Sequence, residues 1–178
     1  MLKLGTIGTG DIVHQFVKAA HSTKDYQLTA VYSRTIHAAQ AFASYYENVD
    51  CYTDMANFLT NDIDIVYIAS PNSLHFPQAK AAILASKHVI VEKPAVSRPE
   101  ELVTLAQEQH VYIFEAARNY HEQSFDVISD FLKNKTILGA HFTYAKYSSK
   151  MPALLAGQEP NVFSAKFSGG ALMDLGIY

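Results

Sequence analysis

Over roughly the first 115 residues, short apolar runs suited to β-strands alternate with stretches of helical periodicity, which leaves few folds open. Strands are expected at residues 2–7, 27–32, 51–52, 63–69, 88–91 and 111–114. Helices are expected between them at 11–21, 36–46, 55–59, 76–87 and 99–109. In the first of these helices, apolar residues recur at 12, 13, 16, 17 and 20, which is one helical face. Six strands joined by five helical crossovers imply an α/β, doubly wound parallel sheet of the Rossmann kind. After Glu115 the rhythm changes. Residues 123–133 read as a helix, 140–147 alternate as a strand would, and 151–167 show no period and read as a loop. Gly169-Gly170 then leads into a last helical turn or two. A lone strand and helix cannot close a core. The expectation is therefore a Rossmann domain at 1–118 and the beginning of an incomplete α+β domain at 119–178, with the chain cut short inside it.

Composition excludes several classes of function. The net charge of −3 comes without a basic patch, which argues against nucleic acid as a partner. The single cysteine, Cys51, rules out an intrachain disulfide and reads as a small buried apolar residue beside a strand, not a nucleophile. None of the eight histidines has His-Glu-x-x-His spacing, so no metal site is expected. No stretch has the length of a membrane span or the form of a signal peptide, and the expected location is cytoplasmic.

The chemistry concentrates where strands end. Gly8-Thr9-Gly10-Asp11-Ile12 joins the first strand to the first helix. Gly-x-Gly there permits a tight turn and lets a pyrophosphate approach N–H groups at a helix N-terminus. Val13 occupies the place of the usual third Gly or Ala, which predicts looser helix–strand packing. Ser33-Arg34 follows the second strand, where an acidic residue usually meets the ribose 2′-hydroxyl. A hydroxyl beside a guanidinium suits a 2′-phosphate instead, so NADP(H) is expected to be preferred, with NAD(H) as the alternative. Ser70-Pro71-Asn72 follows the fourth strand, Glu92-Lys93-Pro94 the fifth and Glu115 the sixth. In open parallel sheets ligands bind outside these carboxyl ends. Glu115 and Arg118 are read as a pair across the domain junction, outside the chemistry.

Taken together with Ser73-Leu74-His75 and the closing Gly169-Gly170-Ala171-Leu172-Met173-Asp174-Leu175-Gly176-Ile177-Tyr178, these segments resemble the glucose-fructose oxidoreductase / inositol dehydrogenase (Gfo/Idh/MocA) family, in its order. Ser33-Arg34 and Tyr178 resemble most the branch of dihydrodiol dehydrogenase and NADP-dependent aldose dehydrogenases. The resemblance implies an oxidoreductase that moves a hydride between NADP(H) and the CH–OH group of a sugar, polyol or cyclic diol. It implies a homodimer or homotetramer for the full-length family. It places Lys93, Asp174 and Tyr178 at the nicotinamide as catalytic residues, and sets Asn72, His75 and Glu92 among those lining the cofactor. Lys93 would hydrogen-bond the substrate oxygen, and Asp174 would orient the substrate or the lysine. Tyr178 would relay a proton, with the ammonium lowering its pKa from about 10. Asp174 and Tyr178 are four residues apart, so a continuing helix would present both on one face. The rival expectations are a nucleotide-binding regulator without catalysis and a non-functional truncated fragment.

Overall fold

The structure is a computed structural model that describes residues 1–95 and 99–177. It divides into two units, Met1–Ala116 and Ala117–Tyr178. In the first, β1 (Leu2–Ile7), β2 (Tyr26–Tyr32), β3 (Asp50–Tyr52), β4 (Ile65–Ile68), β5 (His88–Val91) and β6 (Ile113–Glu115) form one sheet in the order β3-β2-β1-β4-β5-β6. Every neighbouring pair is parallel. The order reverses between β1 and β4, the switch point at which such sheets open a crevice.

Among the described residues, five α-helices and a 3₁₀ turn (Asn72–Leu74) complete this unit: α1 (Asp11–Thr23), α2 (Ile36–Ala43), α3 (Met55–Leu59), α4 (His75–Leu84) and α5 (Pro99–Glu108). Their apolar stripes cover both faces of the sheet. Val13, Val17 and Ala20 of α1 and Ala39 and Phe42 of α2 pack with Leu4, Leu28, Val31, Ile65 and Tyr67. Phe58 of α3, Ala79, Ala82 and Ile83 of α4, and Leu102 and Ala106 of α5 pack with Ile7, Val66, Ile68, Val89 and Val91. Alternate residues of β4 thus enter opposite cores, which is why that strand is an unbroken apolar run. Full burial of a Val or Ile stabilises by about 1.5–3 kcal/mol, so both layers contribute strongly. Val13 is wholly buried, and the absence of a third glycine leaves α1 packed on the sheet.

Helix ends differ from the periodicity in instructive ways. α2 stops at Ala43 because the N–H groups of Tyr45 and Tyr46 bond three residues back, to Phe42 and Ala43, tightening the chain into a 3₁₀-like turn. α4 ends in a Schellman pattern: Ser86 is left-handed (φ +56°), its N–H reaches Ile83, and the Lys87 N–H reaches Ala82.

The second unit holds α6 (Gln123–Leu132), α7 (Met151–Leu155), 3₁₀ turns at Asn161–Phe163 and Ala165–Phe167, and α8 (Ala171–Leu175). Residues 140–147, expected as a strand, are irregular. Alternation sets two faces, but a strand also needs a neighbour for its N–H and C=O groups, and among the described residues none pairs with it. Residues 151–167, expected as a loop, hold α7 and the two 3₁₀ turns, each too short to display a period.

Candidate active site

The turn after β1 has two glycines with different reasons to be there. Gly8 adopts φ +114°, and a Cβ on it would lie 2.7 Å from the Ala69 carbonyl oxygen. The fold itself requires glycine at that point. Gly10 adopts φ −82° and ψ 175°, open to any residue, and a Cβ there would meet nothing within 4 Å. What its missing side chain leaves is room in front of α1. Gly10 is the N-cap of that helix and offers it no side-chain hydrogen bond. By contrast, Thr35 caps α2 by accepting from the Ala38 N–H, and Asp54 caps α3 by accepting from the Asn57 N–H. The N–H groups of Asp11 and Ile12 at the start of α1 have no intrahelical acceptor. They sit on exposed residues at the positive end of the helix dipole. Thr9, half-buried, lies between the glycines. An open cradle with free donors fits a pyrophosphate.

Ser33 and Arg34 follow β2. The Ser33 N–H is held by the Tyr52 carbonyl at 3.0 Å, which fixes the strand end. Arg34 is exposed, and among the described residues no carboxylate pairs with it. That leaves the guanidinium available to a phosphate oxygen.

Across the switch point lie the ends of β4 and β5. Ser70, Pro71 and Asn72 are half-buried after β4, and the Ser70 hydroxyl donates to Gln78 Oε1 at 2.6 Å. Lys93 is half-buried after β5, followed by a cis bond to Pro94. Glu92 is committed inside the protein. Its Oε1 accepts from the Tyr67 hydroxyl at 2.6 Å, and its Oε2 accepts from the Lys93 N–H at 3.2 Å. Burial, and then the hydrogen bond and charge of Glu92, push the Tyr67 phenol well above its ordinary range, so it remains a neutral donor. His75 does not line the crevice with its ring. It is 1% exposed, and its two nitrogens lie 2.8 Å from the carbonyl oxygens of Pro94 and Ser70.

Asp174 is half-buried on α8 in the second unit, whereas Lys93 belongs to the first. α8 ends at Leu175 with Gly176 as its cap, so the expected shared helical face does not extend from Asp174 as far as position 178. Tyr178 itself lies outside the described residues. The Ile177 carbonyl accepts from the Asn119 amide at 3.1 Å, tying the end of α8 to the start of its own unit. Glu115 and Arg118, expected as a pair, bond elsewhere. Glu115 accepts from the Ala95 N–H at 2.7 Å, and Arg118 pairs with Glu122 at 3.1 Å.

Two contributors to this end of the sheet escaped the sequence. Tyr67 reads as one more apolar strand residue, and Glu115 was visible at a strand end but assigned to the wrong partner. At Cys51, burial and then the Asp50 carboxylate push the thiol up, away from the reactive thiolate. Among the described residues no cluster of three or more His, Cys, Asp or Glu side chains gathers to hold a metal, and no helix is long and apolar enough to cross a membrane.

Known proteins are similar to this chain in sequence and fold. An uncharacterized oxidoreductase of Escherichia coli, YgjR, is 39% identical over 183 residues, covering 100% of this chain and 56% of its own. The scyllo-inositol 2-dehydrogenase (NADP(+)) IolU of Bacillus subtilis is 36% identical with the same coverage. The chain thus spans about half the length of the curated relatives it matches. Among solved structures, a 3-ketoreductase from Actinomadura kijaniata in complex with NADP and TDP-benzene superposes with a TM-score of 0.67 at 28% identity, over 74% of this chain and 42% of that one. An NAD-binding protein from Listeria innocua shares the fold with a TM-score of 0.75 at 20% identity, over 98% of this chain and 51% of that one. Residues 2–117 match the Gfo/Idh/MocA family, an oxidoreductase family with an NAD-binding Rossmann fold, and the chain belongs to it.

Proposed function

We propose that the protein contributes the cofactor half of an NADP-dependent dehydrogenase acting on the CH–OH group of a sugar, polyol or cyclic diol. The observation that carries this reading is the uncapped start of α1, where Gly10 leaves a space that, among the described residues, no atom fills within 4 Å of where a Cβ would stand. Support for the 2′-phosphate comes from exposed Arg34. Relatives named for NADP and for inositol or diol substrates agree with it.

In this reading the N–H groups of Asp11 and Ile12, beside Gly8, Thr9 and Gly10, bind the pyrophosphate. Ser33 and Arg34 hold the 2′-phosphate by charge-assisted hydrogen bonds. Ser70, Pro71 and Asn72 shape the seat beyond the switch point, and Glu92 fixes the backbone at Lys93. When bound, the nicotinamide ring supplies hydride acceptance or donation. The Lys93 ammonium hydrogen-bonds the substrate oxygen and stabilises the negative charge that develops there. Asp174 orients the substrate or the lysine, and Tyr178 carries the hydroxyl proton; both roles rest on the family resemblance. The complete enzyme is proposed to be a homodimer or homotetramer, as the same resemblance implies.

Titrating the chain with NADPH and NADH, read by nucleotide fluorescence, tests the proposal. Arg34→Ala should weaken NADPH roughly tenfold and NADH less than about twofold, the loss expected of one charge-assisted contact. Equal losses remove the 2′-phosphate reading. Failure of the unaltered chain to bind either nucleotide refutes the cofactor site itself.

A further inference from the structure

The short loop that carries Lys93 is fastened by side chains from several elements. Glu92, itself held by Tyr67 of β4, accepts from the Lys93 N–H. Glu115, at the end of β6, accepts from the Ala95 N–H at 2.7 Å. His75, at the start of α4, lies 2.8 Å from the Pro94 carbonyl oxygen through Nδ1. Unlike the other two, His75 also reaches the neighbouring loop, with Nε2 2.8 Å from the Ser70 carbonyl oxygen.

Carbonyl oxygens only accept, so the ring must supply the hydrogen of each bond it makes to them. An imidazolium donates both bonds; a neutral imidazole donates one, and its bare nitrogen faces the other oxygen. In either form both nitrogens face backbone oxygens at hydrogen-bond distance and the ring is almost completely buried, which leaves neither nitrogen to offer a ligand. Its two partners are the backbones on which Ser70-Pro71-Asn72 and Lys93 are mounted. Buried polar groups that join two segments in this way fix their spacing, because moving either loop leaves a desolvated carbonyl unpaired.

We propose that His75 is a positioning residue. It is a brace between the loops after β4 and β5 that sets the seat of the nicotinamide half of the dinucleotide and the place of the Lys93 ammonium. This rests on the function proposed above. The strand order makes the effect local. β1, β2 and β3 lie on one side of the switch point and carry the glycine turn and Arg34, whereas β4, β5 and β6 lie on the other and carry both braced loops. Removing the brace therefore disturbs one half of the dinucleotide site and spares the half that holds the adenosine phosphates.

Calorimetric titration of the chain with NADPH, and with 2′-phospho-ADP-ribose, which lacks the nicotinamide, separates the two halves. His75→Leu should weaken NADPH roughly tenfold while the fragment stays within about twofold. His75→Gln, which retains one donor, should recover part of the loss; if His75→Leu fails to fold, His75→Gln should still lose roughly threefold on NADPH alone. Equal weakening of both ligands in the variants would mean that His75 supports the fold generally, and no weakening of either would mean that the brace is dispensable; each overturns the proposal. If the unaltered chain binds neither ligand, the nucleotide reading fails first and the brace loses its purpose with it.

Discussion

The two units of this chain use apolar periodicity with opposite results. In Met1–Ala116 each apolar stripe meets a sheet face, and side chains such as Leu4, Val13, Phe58 and Ile83 lose all contact with solvent. In the second unit, α6 carries an equally clear stripe (Phe125, Ile128, Phe131 and Leu132), yet none of its residues is buried. Leu138 is 98% and Phe142 87% exposed. Among the described residues of that unit only Ala117 and Ser164 are buried. A periodic pattern specifies which face of an element must be covered, but not what covers it. In the first unit the sequence supplies both sides of the contact, and a core forms. In the second, the described residues supply one side only.

That contrast has measurable consequences for stability. Phe58→Ala should destabilise the main unfolding transition in denaturant by about 3–5 kcal/mol, because the ring is wholly enclosed between α3 and the sheet. Phe131→Ala, at a 69% exposed position of α6, should change it by less than about 0.5 kcal/mol. Comparable costs at the two positions would show that the stripe of α6 is covered in solution, and the contrast between the units would disappear.

How much of this was legible in the sequence follows from how local each determinant is. The glycine turn, the strand ends and the sheet class depend on residues close in the chain, and β1, α3 and β5 fall where the pattern places them. Helix ends were less visible. A left-handed glycine is the commonest helix terminator, whereas here Ser86 and His110 take that conformation, at φ +56° and +55°. The role of His75 depends on a carbonyl 19 residues away and emerges only when the loops after β4 and β5 lie side by side. A motif could place that histidine near the cofactor, but not behind the loops that would face it. The irregular course of 140–147 was illegible for a similar reason, since alternation says nothing about whether a pairing strand exists.

If the space in front of α1 serves a ligand and not the fold, filling it should cost affinity and leave stability almost unchanged. Gly10→Ala makes that test, because the backbone there accepts alanine and the added Cβ meets no atom of the described residues within 4 Å. The melting midpoint should stay close to that of the unaltered chain, with a stability change below about 1 kcal/mol. NADPH affinity should fall at least roughly tenfold. Unchanged NADPH affinity in a folded Gly10→Ala protein would contradict that role for the space.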